Sequence, residues 1–203
     1  MGILALVLIV VWLVIVGGLR GYLLSRRTGS IGVHARDPVG SPQWWSKLIS
    51  VLAILAGIAA AVADVAGLPP FAPLDGPVVA GMGVALAGLG IIGTVASQLA
   101  MGDSWRGDVD PEVRTALVTT GPYRLIRNPI LTSTFVTAVG IALVVPNVLA
   151  LLMLVGVIAA QQIQVRLVEE PYLLRVHGDA WRRYAASTGR FLPGVGRLSS
   201  PRD

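Results

Sequence analysis

Long apolar runs alternate with short polar segments along the chain. Four runs carry almost no charge, with Asp64 as the one exception: residues 1–19, 48–68, 76–102 and 128–165. A helix that crosses the hydrocarbon core of a bilayer needs about 20 apolar residues. The last run is too long for one such helix, and Pro146-Asn147 near its middle indicates a turn. The pattern predicts an all-α integral membrane protein with about five transmembrane helices, at residues 2–24, 47–68, 77–101, 130–145 and 148–167.

Composition narrows the class of protein further. Only 13% of the 203 residues are charged and 54% are hydrophobic, whereas a soluble domain carries about 25% charged residues. This balance excludes a disordered chain and argues against an ordinary cytosolic enzyme. The first span lacks a basic segment before it and a small-residue cleavage site after it. We therefore expect an uncleaved membrane anchor there rather than a signal peptide.

The distribution of charge predicts the orientation in the membrane. All 16 basic residues lie in residues 20–47, 102–127 and 166–203, which five spans place on one side. The positive-inside rule then predicts the N-terminus outside and the C-terminus in the cytoplasm. Because the net charge of +5 reflects topology, we expect no nucleic-acid partner. Fifteen of the basic residues are arginine, which is typical of a high-GC genome. The location that we expect is a bacterial inner (plasma) membrane with the active site facing the cytoplasm.

Several kinds of site are disfavoured by the residues present. The chain has no cysteine and only two histidines, His34 and His177, far apart in sequence, so we expect no metal site and no thiol nucleophile. A G-x-G-x-x-G pattern ends at Gly93 inside the third apolar run. A dinucleotide-binding fingerprint needs a preceding strand, so we interpret these small residues as a surface for close helix packing.

Two polar blocks are the candidates for chemistry. The first, residues 103–128, ends at Asn128, which is expected to be the N-cap of a helix whose first residue is Pro129. The positive end of that helix suits a carboxylate or a phosphate, although a plain capped re-entry into the membrane is equally compatible. The second block begins with three glutamines and continues through Arg166 and two glutamates. It forms either an interfacial ion pair on one helix face or the wall of a polar pocket. Residues 171–190 are expected to form an interfacial helix that is interrupted at residues 177–178.

These blocks resemble the isoprenylcysteine carboxyl methyltransferase family and its phospholipid methyltransferase relatives. Residues 117–131 read L-V-T-T-G-P-Y-R-L-I-R-N-P-I-L, which is similar to the family segment L-V-T-x-G-x-Y-x-x-x-R-H-P-x-Y. Asn128 replaces the usual histidine of that segment and Leu131 replaces the usual tyrosine. The later features of the family are matched by Glu169, Glu170, Gly178, Trp181, Tyr184 and the R-x-x-P of Arg190 to Pro193. The resemblance covers roughly residues 100–193.

The resemblance implies an organisation and a site. The predicted spans give a three-span membrane region at residues 1–101, with which the resemblance is compatible. At residues 102–203 the resemblance implies a methyltransferase-like region with a two-span hairpin, a cytoplasmic cofactor pocket and an interfacial helix. The cofactor implied is S-adenosylmethionine. The resemblance implies Arg166 as the catalytic residue that orients an acceptor carboxylate. The chemistry adds Glu170 as a second candidate catalytic residue, because Glu169 and Glu170 can offset the positive sulfonium and one of them can serve as base for an amine. The cofactor-binding residues implied are Leu117, Val118, Tyr123, Arg127, Asn128, Pro129 and Glu169.

The function expected is therefore methyl transfer from S-adenosylmethionine to a lipophilic acceptor dissolved in the membrane. The carboxylate of a prenylated or isoprenoid-like small molecule is the first choice of acceptor, because a carboxylate needs no proton removed before it reacts. Membrane lipids are the surrounding partners, and no obligate protein partner is expected. Two alternatives stay open: an NADPH-dependent membrane reductase of the sterol-reductase-like type, and a non-catalytic membrane protein. A transporter usually carries internal repeats, and none is visible in this sequence.

Overall fold

A computed structural model describes residues 1–19, 21–22, 25–26, 37–102 and 116–198. In this part of the chain the regular structure is helical, and the only β-type pairings are two isolated bridges. The α-helices are α1 Gly2–Trp12, α2 Pro42–Val65, α3 Pro77–Met101, α4 Pro129–Val144, α5 Val148–Ile163, α6 Glu170–His177 and α7 Asp179–Ser187. Two π-helical segments extend them, Leu13–Leu19 after α1 and Gln164–Glu169 between α5 and α6.

Five apolar helices occur where the charge pattern predicts them, although not all have the length of a span. Among the described residues, three helices are long and apolar enough to cross a membrane: Pro42–Val65, Pro77–Met101 and Val148–His177. Gly2–Ile15 and Pro129–Val144 are apolar but shorter. The molecule is thus an integral membrane protein made of helices, whereas the number of spans and their orientation stay predictions. The end predicted for the first span, near residue 24, and most of the first polar block, residues 103–115, lie outside the described residues.

Helices α3 and α4 pack so closely that only glycine fits at several points between them. A Cβ added to Gly83 would lie 2.7 Å from the carbonyl oxygen of Gly140, and one added to Gly90 would lie 2.6 Å from the carbonyl oxygen of Ser133. Gly93 also faces Ser133, whereas Gly88 faces open space. Small residues let helix backbones approach in this way in membranes. The interpretation of the G-x-G-x-x-G pattern as a packing surface is confirmed at Gly90 and Gly93.

The predicted turn between α4 and α5 is present, and Asn147 fixes it. The side-chain oxygen of Asn147 accepts hydrogen bonds from the backbone N–H groups of Leu149 and Ala150, at 3.1 Å each, and so caps α5. Its Nδ2 donates to the carbonyl oxygen of Ala60 on α2, at 3.0 Å. At the other end of the same pair of helices, the Ser46 hydroxyl donates to the carbonyl oxygen of Ala160. These bonds hold α5 along α2.

The helix that begins at Val148 is longer than the hydrocarbon core of a bilayer is thick. At a rise of 1.5 Å per residue its 30 residues are about 45 Å long, compared with a hydrocarbon core of about 30 Å. Its last part, α6, therefore carries polar residues out of the apolar bundle. The expected interruption is confirmed: α6 ends at His177, Gly178 takes a φ of +53°, and α7 begins at Asp179. A positive φ is readily adopted by glycine, so α7 turns back towards the start of α4.

Candidate active site

The two polar blocks lie against each other at the start of α4. The backbone N–H of Arg127 donates to the carbonyl oxygen of Gly189 at 2.8 Å, and that of Asn128 donates to the carbonyl oxygen of Arg190 at 3.2 Å. The Thr132 hydroxyl also donates to a carbonyl oxygen of this segment, that of Phe191, at 2.9 Å. The chain after α7, here called the C-terminal segment (residues 188–198), thus runs beside residues 126–128. The structure thus brings together the end of the first polar block and the C-terminal segment, which are about 60 residues apart in sequence.

The guanidinium group of Arg127 is buried at the centre of this contact. Its Nη1 donates to the carbonyl oxygens of Ala185, at 2.9 Å, and of Thr188. Its Nη2 donates to the carbonyl oxygen of Gly196 and to Oε1 of Glu170, both at 3.0 Å. Only Nε, which is also buried, has no hydrogen-bond partner among the described residues. Arg127 was predicted to bind cofactor, and four of its five donors bond to protein: two to the C-terminal segment, one to the end of α7 and one to Glu170.

Glu170 joins Arg127 to a second arginine, Arg190. Its Oε1 accepts from Nε of Arg190 at 2.8 Å and its Oε2 accepts from Nη2 of Arg190 at 2.9 Å, in addition to the bond from Arg127. The exposed fractions of the three side chains are 1% for Arg127, 14% for Glu170 and 15% for Arg190. A buried carboxylate of this kind is stable only when it is paired and hydrogen-bonded. We call these three residues the Arg–Glu cluster, and its formal charge is +1.

Two tyrosines lie next to the cluster. Tyr184 on α7 donates its hydroxyl to the carbonyl oxygen of Tyr123 at 2.6 Å, and burial raises the pKa of Tyr184 to about 12. Tyr123 is 6% exposed, and its own hydroxyl is buried without a hydrogen-bond partner among the described residues. Burial, with a smaller effect from the negative charge of Glu169, raises the pKa of Tyr123. The phenol of Tyr123 is therefore a neutral donor that a ligand can satisfy.

Glu169 points to the same region from the end of the π-helical segment. Its Oε1 accepts a hydrogen bond from Nε2 of Gln164 at 3.2 Å, and its negative charge contributes to the raised pKa of Tyr123. In the part of the chain that the structure describes, no donor reaches Oε2 of Glu169. Glu169 therefore retains the capacity to accept hydrogen bonds, in contrast to its neighbour Glu170.

Arg166 does not form the ion pair with the glutamates that one interpretation of the sequence expected. Its exposed side chain donates from Nε to Oε1 of Gln162 at 2.7 Å, and the ion pairs of Glu170 are made with other arginines. The cause is the π-helical segment Gln164–Glu169, because its wider turns abolish the three- and four-residue spacing that aligns side chains on an α-helix.

The remaining predicted lining residues surround the start of α4. Leu117 and Val118 are half-buried and lie in irregular chain, and Pro129 is buried as the first residue of α4. Asn128 stands at the N-cap position as predicted, but its side chain makes no capping hydrogen bond. Its Nδ2 donates instead to the carbonyl oxygen of Arg190, at 3.0 Å. This bond orients the amide of Asn128 towards the C-terminal segment, and that segment covers the start of α4.

Sequence reasoning missed the structural role of Arg190. Its position in the R-x-x-P motif was the available signal, but the motif does not reveal that Glu170 is its partner.

A separate cavity of about 50 Å³ lies among α1, α2, α4 and α5, with apolar side chains such as Ile9, Met153 and Val157 around it. This is the space of about one or two water molecules, so the cavity does not accommodate a prenyl chain.

Comparison with known proteins identifies the family of this chain. No individually curated protein matches the chain significantly. The phospholipid methyltransferase family matches residues 78–180, which is 103 of the 203 residues. The matched region runs from α3 into α7 and includes Tyr123, Arg127 and both glutamates. The chain therefore belongs to the phospholipid methyltransferase family and is a membrane methyltransferase.

Proposed function

We propose that this protein transfers a methyl group from S-adenosylmethionine to a lipophilic acceptor in the membrane. The preferred acceptor is the carboxylate of a prenylated or isoprenoid-like small molecule. The observation that carries the proposal is the meeting of the two polar blocks around the Arg–Glu cluster, with the unpartnered hydroxyl of Tyr123 beside it. A buried polar atom without a partner is rare in folded proteins, and a bound ligand accounts for it.

The residues at the site fit the groups of this cofactor. S-adenosylmethionine carries two positive groups, the sulfonium and the α-ammonium, as well as ribose hydroxyls. Glu169 supplies a carboxylate with an oxygen that no described residue uses, and Tyr123 supplies a buried phenol. Leu117 and Val118 supply half-buried apolar surface, which suits an adenine ring. In this assignment Asn128 and Pro129 shape the start of α4 beneath the cofactor, and Arg127 lines the pocket while it holds the C-terminal segment.

The chemistry requires alignment more than acid–base catalysis. When bound, S-adenosylmethionine supplies an electrophilic methyl group on sulfur. A carboxylate oxygen of the acceptor forms the new C–O bond as the C–S bond breaks, and the electron pair of that bond stays on sulfur. No proton moves, so the task of the protein is to orient the acceptor and to exclude water. Arg166 is the residue proposed to orient it, because its terminal nitrogens have no partner among the described residues and can hold a carboxylate bidentately.

The same proposal includes the orientation in the membrane. We place the site on the cytoplasmic side of a bacterial plasma membrane, supported by the location of all 16 basic residues in the segments that five spans put there. The chain contains no cysteine, so single-cysteine variants report sidedness directly. In intact cells, a membrane-impermeant maleimide is expected to label Leu74→Cys and not Leu198→Cys. Labelling of Leu198→Cys in intact cells contradicts the orientation.

Binding to the purified protein tests the cofactor. We expect calorimetry in lipid nanodiscs to detect S-adenosylhomocysteine and not NADPH. Glu169→Gln is expected to weaken that binding about tenfold, since it removes a charge opposite a cation, whereas Asp179→Asn, at an exposed ion pair on α7, leaves it unchanged. Binding of NADPH alone supports the reductase alternative and refutes the methyltransferase cofactor.

Transfer of labelled methyl groups to a panel of lipophilic carboxylates and amines tests the acceptor. Arg166→Gln is expected to raise the KM for a carboxylate acceptor while it spares the binding of S-adenosylhomocysteine. Methylation of amines in preference to carboxylates contradicts the proposed acceptor class without contradicting the cofactor.

A further inference from the structure

We propose that Glu170 and Arg190 are positioning residues, which hold the C-terminal segment over residues 123–128 and thereby shape the cofactor pocket. The inference rests on the proposed function for what the pocket binds. It differs from the catalytic role that the family resemblance implies for Glu170, and it gives a role to Arg190, which the sequence left without one.

The contacts of Arg190 are suited to fixing a segment rather than to binding a ligand. Its side chain meets the carboxylate of Glu170 with two parallel hydrogen bonds, at 2.8 and 2.9 Å, and this bidentate geometry is the strongest that arginine makes with a carboxylate. Its backbone carbonyl oxygen accepts two bonds from Asn128, one from the backbone and one from the side chain. Its backbone N–H donates to the carbonyl oxygen of Val195 at 2.7 Å. Arg190 therefore ties α6, the start of α4 and the C-terminal segment together.

The hydrogen bonds of Glu170 leave its carboxylate little capacity to contact a substrate. Both oxygens already accept hydrogen bonds from arginines, three bonds in all. A carboxylate in this state is fixed in orientation, and its negative charge is more than balanced by two neighbouring positive charges. Glu169, which has one donor from Gln164, is the glutamate of the pair that is able to face a cation. The two adjacent glutamates thus have different tasks.

Helix α7 connects the Arg–Glu cluster to the proposed pocket, because it contacts both Arg127 and Tyr123. Arg127 holds the end of α7 by its bonds to the carbonyl oxygens of Ala185 and Thr188, and its guanidinium lies 5.7 Å from the ring centre of Trp181. One turn away on the same helix, Tyr184 bonds to the backbone of Tyr123. Loss of Glu170 or Arg190 is therefore expected to loosen α7 and the C-terminal segment, and to displace the buried phenol that faces the pocket.

Four variants of the full chain in lipid nanodiscs test the proposal: Arg190→Gln, Arg190→Lys, Glu170→Gln and the control Arg182→Gln. Among the residues that the structure describes, Arg182 pairs only with Asp179, at an exposed site on α7. The first readout is amide hydrogen exchange, which needs no cofactor. We expect Arg190→Gln and Glu170→Gln to accelerate exchange at residues 123–128 and 188–198 by about tenfold or more, with α2 and α3 unchanged. Arg190→Lys keeps the charge and should restore part of the protection, and Arg182→Gln should match the wild type.

The second readout separates positioning from catalysis. Positioning predicts a KM for S-adenosylmethionine and a Kd for S-adenosylhomocysteine that rise about tenfold in both Arg190→Gln and Glu170→Gln, with kcat at saturating cofactor within about threefold of the wild type. It also predicts that the double variant is no worse than Glu170→Gln alone, because that substitution already removes the ionic partner of Arg190.

Three results overturn the inference: unchanged exchange in Arg190→Gln, unchanged cofactor affinity in that variant, or a fall in kcat of Glu170→Gln that Arg190→Gln does not share. If Arg190→Gln does not fold, the milder Arg190→Lys decides by the same criteria. A wild-type protein that is protected at residues 188–198 but binds no S-adenosylhomocysteine refutes the proposed function. In that case the hydrogen-exchange measurement still shows whether the ion pair of Glu170 and Arg190 holds the C-terminal segment.

Discussion

An alanine at residue 90 tests the close packing of α3 on α4. A Cβ built on Gly90 lies 2.6 Å from the carbonyl oxygen of Ser133 and from the backbone nitrogen of Thr137, and it lies closer still to Oγ1 of Thr137. Ordinary contact begins near 3.4 Å, so the two helices must separate by about 0.8 Å, which forfeits about a quarter to a half of the dispersion attraction at the contact. Two of the three opposing atoms belong to backbone, so rotation of a side chain does not relieve the clash.

Gly88→Ala on the same helix is the matched control, because a Cβ there meets nothing within 4 Å. Both substitutions gain the same helix propensity, about 1 kcal/mol, so their difference isolates the clash. Overpacking costs about 1–3 kcal/mol, and we expect Gly90→Ala to be less stable than Gly88→Ala by that amount. Unfolding of the purified protein by sodium dodecyl sulfate, followed by tryptophan fluorescence, measures the free energy. Equal stability of the two variants refutes the packing described for this interface.

Three further predictions concern the turn, the C-terminal segment and the tyrosines. Asn147→Ala removes the cap of α5 and the bond to Ala60, and should cost about 2–3 kcal/mol in the same unfolding assay; a loss below about 0.5 kcal/mol contradicts this role. Gly189→Ala places a Cβ against the backbone of residues 192–195 and should raise hydrogen exchange of the C-terminal segment while α2 is unaffected. The Tyr184 pKa of about 12 exceeds the unfolded value of about 10, so its contribution to stability is complete below pH 10 and is lost as pH rises towards 12. Tyr184→Phe should flatten the alkaline fall in stability, with the part due to Tyr123 remaining, and an unchanged pH profile contradicts the assignment.

Most of the helical framework follows from the placement of charge. Uncharged runs locate the apolar helices to within a few residues, and Pro146-Asn147 locates the turn because proline and asparagine favour one there. The fourth helix, Pro129–Val144, has the 16 residues predicted for it, but periodicity and hydropathy do not fix how deeply so short a helix inserts. The ion pair predicted between Arg166 and a glutamate is wrong for a local reason as well, because no pattern in residues 161–171 predicts the π-helical segment.

The contacts among the candidate site residues could not be predicted from the sequence. The family resemblance selected Tyr123, Arg127 and both glutamates, and the structure places all four together. Propensity and spacing describe neighbours along the chain, whereas the bonds of Arg127 reach 43 to 69 residues ahead. For the same reason the side-chain oxygen of Asn128 was expected to cap α4, whereas in the structure the amide makes no cap and its Nδ2 donates to the carbonyl oxygen of Arg190. Long-range polar contacts of this kind depend on the assembled fold.

The position of the Arg–Glu cluster also sets an order of assembly. Its members come from the start of α4, from α6 and from the C-terminal segment, so the intervening helices α4 and α5 must have entered the bilayer before the three side chains can meet. During synthesis, Arg127 is made before Glu170 and Arg190, so its guanidinium has no ionic partner in the cluster until both have been added. The polar site therefore forms after the helices that it joins.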